Sequence, residues 1–292
     1  MKRIGYWIEA MRLRTLPVGA ASVLAGVGLA CLNGCFRAAP AVICLVFAIL
    51  AQIASNFANE YFDYRDGLDA PGREGPRRGV TEGDITPRAM LAATWITLAA
   101  ACAIGCLLIL WGGWWLIAAG AFIAVGVLAY STGPFPLSRH ALGEVAVLLF
   151  YGIVPVNLVY YLQTDTMNVD SLWLSVAIGL LGSNILVVNN YRDRREDEAV
   201  GKRTEVVLWG RKYALWDYAI QAILPTALTF GLWLRAGAWT LVFPTLQIVA
   251  SMLLLRLLAT RSGHALNPVL GMTAMTELFF AAAFLTVAAI AM

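Results

Sequence analysis

The chain reads as an all-α membrane protein, with nine transmembrane helices around a central cavity. Three observations predict this. Hydrophobic residues make up 60% of the 292 positions and charged residues only 13%, with a mean hydropathy of +0.72. A soluble domain carries about a quarter charged residues. Apolar runs close to the ~20 residues that cross a bilayer recur along the whole length. The charges between those runs are sorted by side, which is how membrane helices are oriented. The length fits one membrane domain, 1–292. The lipid bilayer is the expected surrounding, no nucleic-acid partner is expected, and the oligomeric state is open.

The elements follow in order. The first stretch, MKRIGYWIEAMRLRTLP, spreads its charges as far as Arg14. A cleaved leader would place a short apolar core directly after its basic start, so this reads as an uncleaved amphipathic segment. Nine runs follow, over residues 15–36, 38–61, 88–110, 112–131, 141–162, 171–190, 213–234, 236–256 and 266–291. Only Trp111, Gly112 and Gly113 separate the third from the fourth, and Trp114 and Trp115 follow. This is a tight turn in an aromatic interface belt. The pairs Cys31/Cys35 and Cys102/Cys106 are helical neighbours in apolar runs and read as packing residues.

With the N-terminus in the cytoplasm, 19 of the 21 Lys and Arg residues fall on the inside; only Arg37 and Arg235 fall outside. The positive-inside rule therefore favours nine spans with the C-terminus outside. The acidic residues follow the same geography: 12 of the 18 lie within residues 60–84 and 193–205, behind the second and sixth runs. This spacing suggests two similar four-helix halves plus one extra helix, with Asn59–Asp63 matching Asn189–Asp193.

Those two segments carry the chemistry. The first is NFANEYFDYRDGLD, Asn56 to Asp69; the second is NNYRDRREDEAVGK, Asn189 to Lys202. Gln52, Asn56, Asn59 and Asp63 are spaced to line one helical face, with Glu60 beside it, and Asn189, Asp193 and Asp197 line another. Gly67 ends the first helix and Asp69 follows in the loop. Mg²⁺ takes oxygen ligands and commonly uses one or two carboxylates plus substrate phosphate oxygens. Two such faces set opposite each other can hold a diphosphate between two Mg²⁺ ions. Arg77, Arg78, Arg192 and Lys202 are available for the remaining phosphate oxygens. Ordinary solvated loops would explain the charge runs, but not the polar residues Gln52, Asn56, Asn184, Asn189 and Asn190 inside apolar runs. Tyr61, Phe62, Tyr64 and Tyr191 read equally as carbocation shields or as interfacial anchors. Glu144 reads as a pore-facing acid, with a helix N-terminal charge as the alternative. Glu277 reads as a partner of Arg256 or Arg261, or as a cavity-lining group.

These residues resemble the UbiA superfamily of intramembrane prenyltransferases, which carries Asp-rich motifs on the second and sixth of nine helices. The resemblance covers nearly the whole chain. It is closest to the branch that acts on 1,4-dihydroxy-2-naphthoate. RLRTLP at Arg12–Pro17 is similar to that branch's opening motif. The first acidic segment has its spacing, and Gly75-Pro76-Arg77-Arg78, Gly83-Asp84-Ile85-Thr86 and Tyr130–Pro136 match later signatures. The second motif is matched at Asn189, Asn190, Arg192, Asp193, Asp197, Gly201, Lys202 and Thr204. One position departs: Glu60 stands where the family has Asp, moving the carboxylate outward by a methylene.

The resemblance implies a UbiA-type fold and a Mg²⁺-dependent transfer from a polyprenyl diphosphate to 1,4-dihydroxy-2-naphthoate. Decarboxylation would accompany the transfer, giving demethylmenaquinone for menaquinone biosynthesis. By position, Asn59, Glu60, Asp63 and Asp69 serve one metal, and Asp193 and Asp197 the other. The aspartates Asp63, Asp69, Asp193 and Asp197 are the expected catalytic set. Asn56, Asn59, Arg77, Arg78, Tyr130, Asn189, Asn190, Arg192 and Lys202 are the expected substrate contacts. The setting implied is a bacterial inner membrane, with the site facing the cytoplasm. Two rivals stand beside this reading. One is a related transferase with a different aromatic or lipid acceptor. The other is a transporter, against which both polar faces lie at one membrane side rather than at the midplane.

Overall fold

A computed structural model describes residues 2–292. The described chain is helical apart from its connections, the longest of which runs over residues 66–86. Helix α1 (Lys2–Ala10) lies against α3 (Ala38–Arg65), with Trp7 edge-on to Phe57. The others are α2 (Leu16–Leu32), α4 (Pro87–Gly112), α5 (Leu116–Ala129), α6 (Gly143–Thr164), α7 (Val169–Ala199), α8 (Glu205–Ala236), α9 (Val242–Thr260) and α10 (Asn267–Ala291).

Every predicted run contains a helix, but the helices are not equal. Among the described residues, seven helices are long and apolar enough to cross a membrane. The two shorter ones, α2 with 17 residues and α5 with 14, occupy the first and fourth runs. At 1.5 Å per residue α5 spans about 21 Å, less than a hydrocarbon core of about 30 Å. It starts late because Gly113 turns the chain in a left-handed conformation and the two tryptophans complete the turn. In the opposite sense, α7 runs nine residues beyond its predicted end and carries the second acidic segment as helix.

Local chemistry explains the boundaries. Thr86 and Thr204 accept backbone N–H groups of their own first turns, and Asn168 forms a reciprocal capping box with Ser171. Pro155 cannot bond back to the Tyr151 carbonyl, one turn behind it, and the helix there widens into a π turn over Leu148–Ile153. The Ser22 hydroxyl from α2 donates to that freed carbonyl. In α8, Gly210 breaks the ladder with a left-handed φ of 83°, so the main span begins after it, close to the predicted start at 213.

With lipid on the outside, tight packing of small residues joins the helices. A Cβ on Gly152 would stand 2.5 Å from the Ser175 carbonyl and 2.6 Å from the Gly179 Cα, so α6 and α7 cross nearly backbone to backbone. A Cβ on Gly28 would meet the backbone of Leu285, which brings α2 onto α10. The core between them is Trp233, edge-on to Phe280 and Phe284. Helices α2 to α7 surround a cavity of about 790 Å³.

At the end of the bundle opposite the acidic segments, the two outlying cations are neutralised. Arg37 pairs with Asp165, and Arg235 donates to Asp170 at 2.6 Å. That end therefore adds little net positive charge to oppose the charge sorting.

Candidate active site

Both acidic helices end with the same cap. In α3, the Leu68 N–H bonds the Asp63 carbonyl and the Gly67 N–H bonds that of Tyr64; Gly67 has φ 71°. In α7, the Lys202 N–H bonds the Asp197 carbonyl and the Gly201 N–H bonds that of Glu198; Gly201 has φ 74°. These are Schellman caps, and only glycine takes the left-handed turn without strain. Counted from the caps, Asp63 corresponds to Asp197 and Asn59 to Asp193. That is one helical turn away from the register suggested by the shared Asn–Asp spacing, because α7 continues a turn further before its glycine.

The caps bring the two segments together at one end of the cavity. Lys202 Nζ lies 3.3 Å from Asp63 and 3.8 Å from Asp197. Arg73 spans the gap in the other direction, donating to Asp69 at 2.6 Å and to Asp193 at 2.9 Å. Arg78 is 3.2 Å from Asp69, 3.0 Å from the Asn59 amide oxygen and 3.8 Å from Asp63. Arg192 folds onto its neighbour Asp193 at 2.6 Å and reaches Asn189 and Asn267.

Of the residues expected from sequence, Asn56, Asn59, Asp63, Arg77, Arg78, Tyr130, Asn189, Asn190, Arg192, Asp193, Asp197 and Lys202 line the cavity. Arg77 sits at its rim, paired with Asp84 and over the Tyr6 ring. Asp69 lies behind Arg73 and Arg78, with its side chain 2% exposed. Burial pushes its carboxyl above the usual carboxylate range, and the Arg73 charge opposes that rise.

Glu60 goes elsewhere. It is buried and turned from the cavity into the 78–85 turn, where its Oε1 accepts the Val80 N–H at 3.1 Å. On a regular helix it is rotated 100° from Asn59, enough to leave the shared polar face. Glu144 also departs from expectation. It faces α8 rather than the pore, accepting the Gln221 amide at 2.9 Å, and Gln221 in turn bridges to Asp217. Glu277 meets neither Arg256 nor Arg261 within salt-bridge distance. Its carboxyl is buried beside Gly182, and neither oxygen has a hydrogen-bond partner.

Three cations at the site were not singled out from sequence. Arg73 carries a visible signal, since it stands four residues after Asp69. Arg12, in the segment before α2, donates to Asn59 at 2.7 Å; the RLRTLP motif marks it. Arg139 approaches Asp63 at 3.8 Å and pairs with Asp66 at 2.7 Å. It was visible only as the lone cation between the fourth and fifth runs.

The donor set suits a hard divalent cation. Asp63 Oδ1 and Asp69 Oδ2 are buried oxygens without hydrogen-bond partners, the former on a cavity-lining residue. Arg78 Nε stands 3.2 Å from Asp69 Oδ2 and Arg139 3.8 Å from Asp63 Oδ1, so their charge is already partly balanced, and a cation would add the ligation they lack. Among the described residues no three carboxylate, histidine or cysteine side chains converge as a ready-made cage. That is consistent with a site completed by substrate oxygens. Beyond this polar end the cavity turns apolar, passing Ser22, Phe47, Phe150 and Leu158 to Leu116 and Leu162. The arrangement is amphipathic along its length, with a charged end and a hydrocarbon end.

Comparison with known proteins agrees with this geometry. Residues 20–268 match the UbiA prenyltransferase family. The 1,4-dihydroxy-2-naphthoate octaprenyltransferase of Escherichia coli is 36% identical over 216 residues, 72% of this chain and 70% of that one. The enzyme of the same name from Mycobacterium tuberculosis is 34% identical over 97% of this chain and 96% of its own. Among solved structures, a UbiA homolog from Archaeoglobus fulgidus bound to GPP and Mg²⁺ superposes with a TM-score of 0.68 at 16% identity. The match covers 97% of this chain and 99% of that one. An apo UbiA homolog from Aeropyrum pernix gives 0.71 at 18%, covering 92% and 97%. At those identities the structures speak for the fold. The sequence match, the fold and the paired acidic caps converge: the chain belongs to the UbiA prenyltransferase family and is a membrane-embedded polyprenyltransferase.

Proposed function

We propose that the chain transfers a polyprenyl group from an allylic polyprenyl diphosphate to 1,4-dihydroxy-2-naphthoate, with loss of CO₂. The observation that carries this reading is the placement of Asp63, Asp193 and Asp197, bridged by Arg73 and Lys202, at the polar end of an otherwise apolar cavity. The naphthoate-specific relatives supply the acceptor.

Asn59, Asp63 and Asp69 on one side, and Asp193 and Asp197 on the other, would hold Mg²⁺. The metal would neutralise the departing diphosphate. Around it, Arg73, Arg78, Arg192 and Lys202 exchange their carboxylate partners for phosphate oxygens, which stabilises charge as it develops on the leaving group. The apolar walls hold the prenyl chain and keep water from the allylic carbon. Tyr130 and Asn190 line the same end and border the space left for the aromatic acceptor. The C–O bond to diphosphate breaks with its electron pair on oxygen. The electron-rich ring carbon bonds to the allylic carbon, and the C–CO₂ bond electrons return to the ring. The direct product is demethylmenaquinol, the reduced form of demethylmenaquinone in menaquinone biosynthesis.

The same reading treats 1–292 as one domain of nine spans, with α2 and α5 crossing as short helices. It places the N-terminus and the active site on the cytoplasmic side of a bacterial inner membrane and the C-terminus outside. The charge sorting supports that orientation. The test incubates membranes containing the protein with a polyprenyl diphosphate and 1,4-dihydroxy-2-naphthoate, and reads products by mass. The naphthoate product should form with Mg²⁺, vanish in EDTA and return on adding Mg²⁺. Full turnover in chelator would remove the metal, and prenylation of other acceptors alone would remove the naphthoate.

A further inference from the structure

Glu60 lies in the first acidic segment, buried beside its polar face and bonded to the turn that follows. We propose that Glu60 is a positioning residue that clamps the 78–85 turn and thereby aims Arg78 at the diphosphate. The side chain is 1% exposed, and its Oε1 accepts the Val80 N–H at 3.1 Å. The turn is internally closed. The Asp84 and Ile85 N–H groups bond the Gly79 carbonyl at 2.8 and 3.0 Å, and the Glu82 N–H bonds that of Arg78 at 3.0 Å. Val80 and Ile85 are buried with Phe57 and Met90 beneath it. Packing is tight at Gly79, where a Cβ would stand 3.0 Å from Ile85 Cδ1 and 3.5 Å from Glu60 Oε1.

The clamp and the site are held by neighbours in sequence. Asn59 accepts the Arg78 guanidinium at 3.0 Å, and Glu60, the next residue, accepts the backbone N–H two residues further along the turn. Successive residues on a helix point about 100° apart, so one faces the cavity and the other the turn. Aspartate at position 60 is one methylene shorter, and on the same helix it falls short of Val80. Glutamine keeps the reach and keeps an acceptor oxygen. The clamp and a metal-ligand role for Glu60 therefore predict opposite orders for two conservative variants.

This inference rests on the proposed function only in placing the diphosphate at Arg78. In Glu60→Gln, the KM for the polyprenyl diphosphate should stay within about threefold of the parent. In Glu60→Asp it should rise about tenfold, with kcat changed less, the order expected when a hydrogen bond to a charged acceptor is lost. The Mg²⁺ concentration for half-maximal rate should be unchanged in both. A second reading needs no turnover: limited trypsin digestion of the purified protein in detergent, with fragments identified by mass. Cleavage after Arg77 and Arg78 should speed up in Glu60→Asp and not in Glu60→Gln. Heavy loss in Glu60→Gln with activity kept in Glu60→Asp, or a shifted Mg²⁺ requirement, would overturn the clamp. So would unchanged cleavage in Glu60→Asp. If the acceptor were misassigned, the digestion pattern would still stand.

Discussion

The two acidic halves begin from the same cap and diverge one residue later. In the first, Gly67 and Leu68 lead to Asp69 and then to a long connection that carries Arg73, Arg77 and Arg78 before α4 starts at Pro87. In the second, Gly201 leads to Lys202, and Thr204 already caps α8. The first half adds a long loop to its helix, whereas the second is almost all helix. Each lends a cation to the other, since Arg73 reaches Asp193 and Lys202 reaches Asp63. The comparison teaches that the site is one unit stapled across its midline, and that its two sides owe their precision to different things. A long regular helix positions Asp193 and Asp197. Ion pairs and backbone clamps position the loop side.

The strongest way to break this comparison is to remove the carboxylates that the caps make equivalent. Asp63→Ala and Asp197→Ala should each lower turnover by more than about a hundredfold, which corresponds to about 2.7 kcal/mol of lost transition-state stabilisation. The effects should be of similar size, because the two side chains occupy the same place relative to their caps. Steady-state rates in membranes, with protein levels matched by immunoblot, give the answer. A large loss in one variant beside a near-normal rate in the other would dissolve the equivalence.

The staple comes next. Arg73→Gln removes the bridge between Asp69 and Asp193 while leaving both carboxylates in place. Turnover should fall by about tenfold to a hundredfold, about 1.4 to 2.7 kcal/mol of lost transition-state stabilisation. A double variant with Asp193→Asn should show strong non-additivity, because both changes cut the same link. Simple additivity of the two losses would mean that Arg73 serves the loop alone.

A smaller effect sharpens the role of the caps themselves. Gly201→Ala forces a side chain into a left-handed φ of 74°, although nothing lies within 4 Å of its added Cβ. The cost is therefore conformational, about 1 kcal/mol. It should appear as a drop of about fivefold in rate as Lys202 shifts from Asp63 and Asp197. Gly67→Ala meets equally open space at φ 71° and should cost a similar amount of stability. It should move the rate less, since Arg73 and Arg78 also restrain Asp69. Thermal unfolding followed in detergent separates the stability cost from the kinetic one.

How much of this was legible in the sequence follows the same divide between helix and loop. The helix side was readable because periodicity is a local rule: Asn189, Asp193 and Asp197, spaced by four, had to share a face. Apolar runs located the spans for the same reason. The shortness of α5 was not readable, because a left-handed Gly113 and two tryptophans consume residues that hydropathy counts as span. The loop side defeats spacing rules, since the chain between Asp69 and Thr86 has no period. Arg73 could be paired with Asp69 by its separation of four, but nothing local said that its other hand would reach Asp193. Glu60 is underdetermined by spacing for a related reason. A carboxylate inside a metal motif looks like a ligand until the turn beside it is placed. Glu144, which meets α8 instead of the pore, shows the limit for helices too, since whether a helix face meets the pore or a neighbour is decided by packing.

The finest test of the staple is a pH profile. Burial raises the Asp69 carboxyl above its ordinary value, and the positive charge of Arg73 is the leading influence pulling it back. On the proposed reading the metal needs the ionised carboxylate, so activity should decline on the acid side as Asp69 takes up its proton. In Arg73→Gln the opposing charge is gone, the carboxyl rises further, and protonation begins at a higher pH. The acid limb of kcat/KM should therefore move upward in that variant. Arg77→Gln serves as the control, because Arg77 pairs with Asp84 at the rim and leaves Asp69 untouched. Its acid limb should coincide with that of the parent. Profiles measured at saturating Mg²⁺ keep metal competition with protons from mimicking the effect. If Arg73→Gln lowered the rate equally at every pH, the bridge would act through geometry alone. The loop side would then resemble the helix side more closely than its ion pairs suggest.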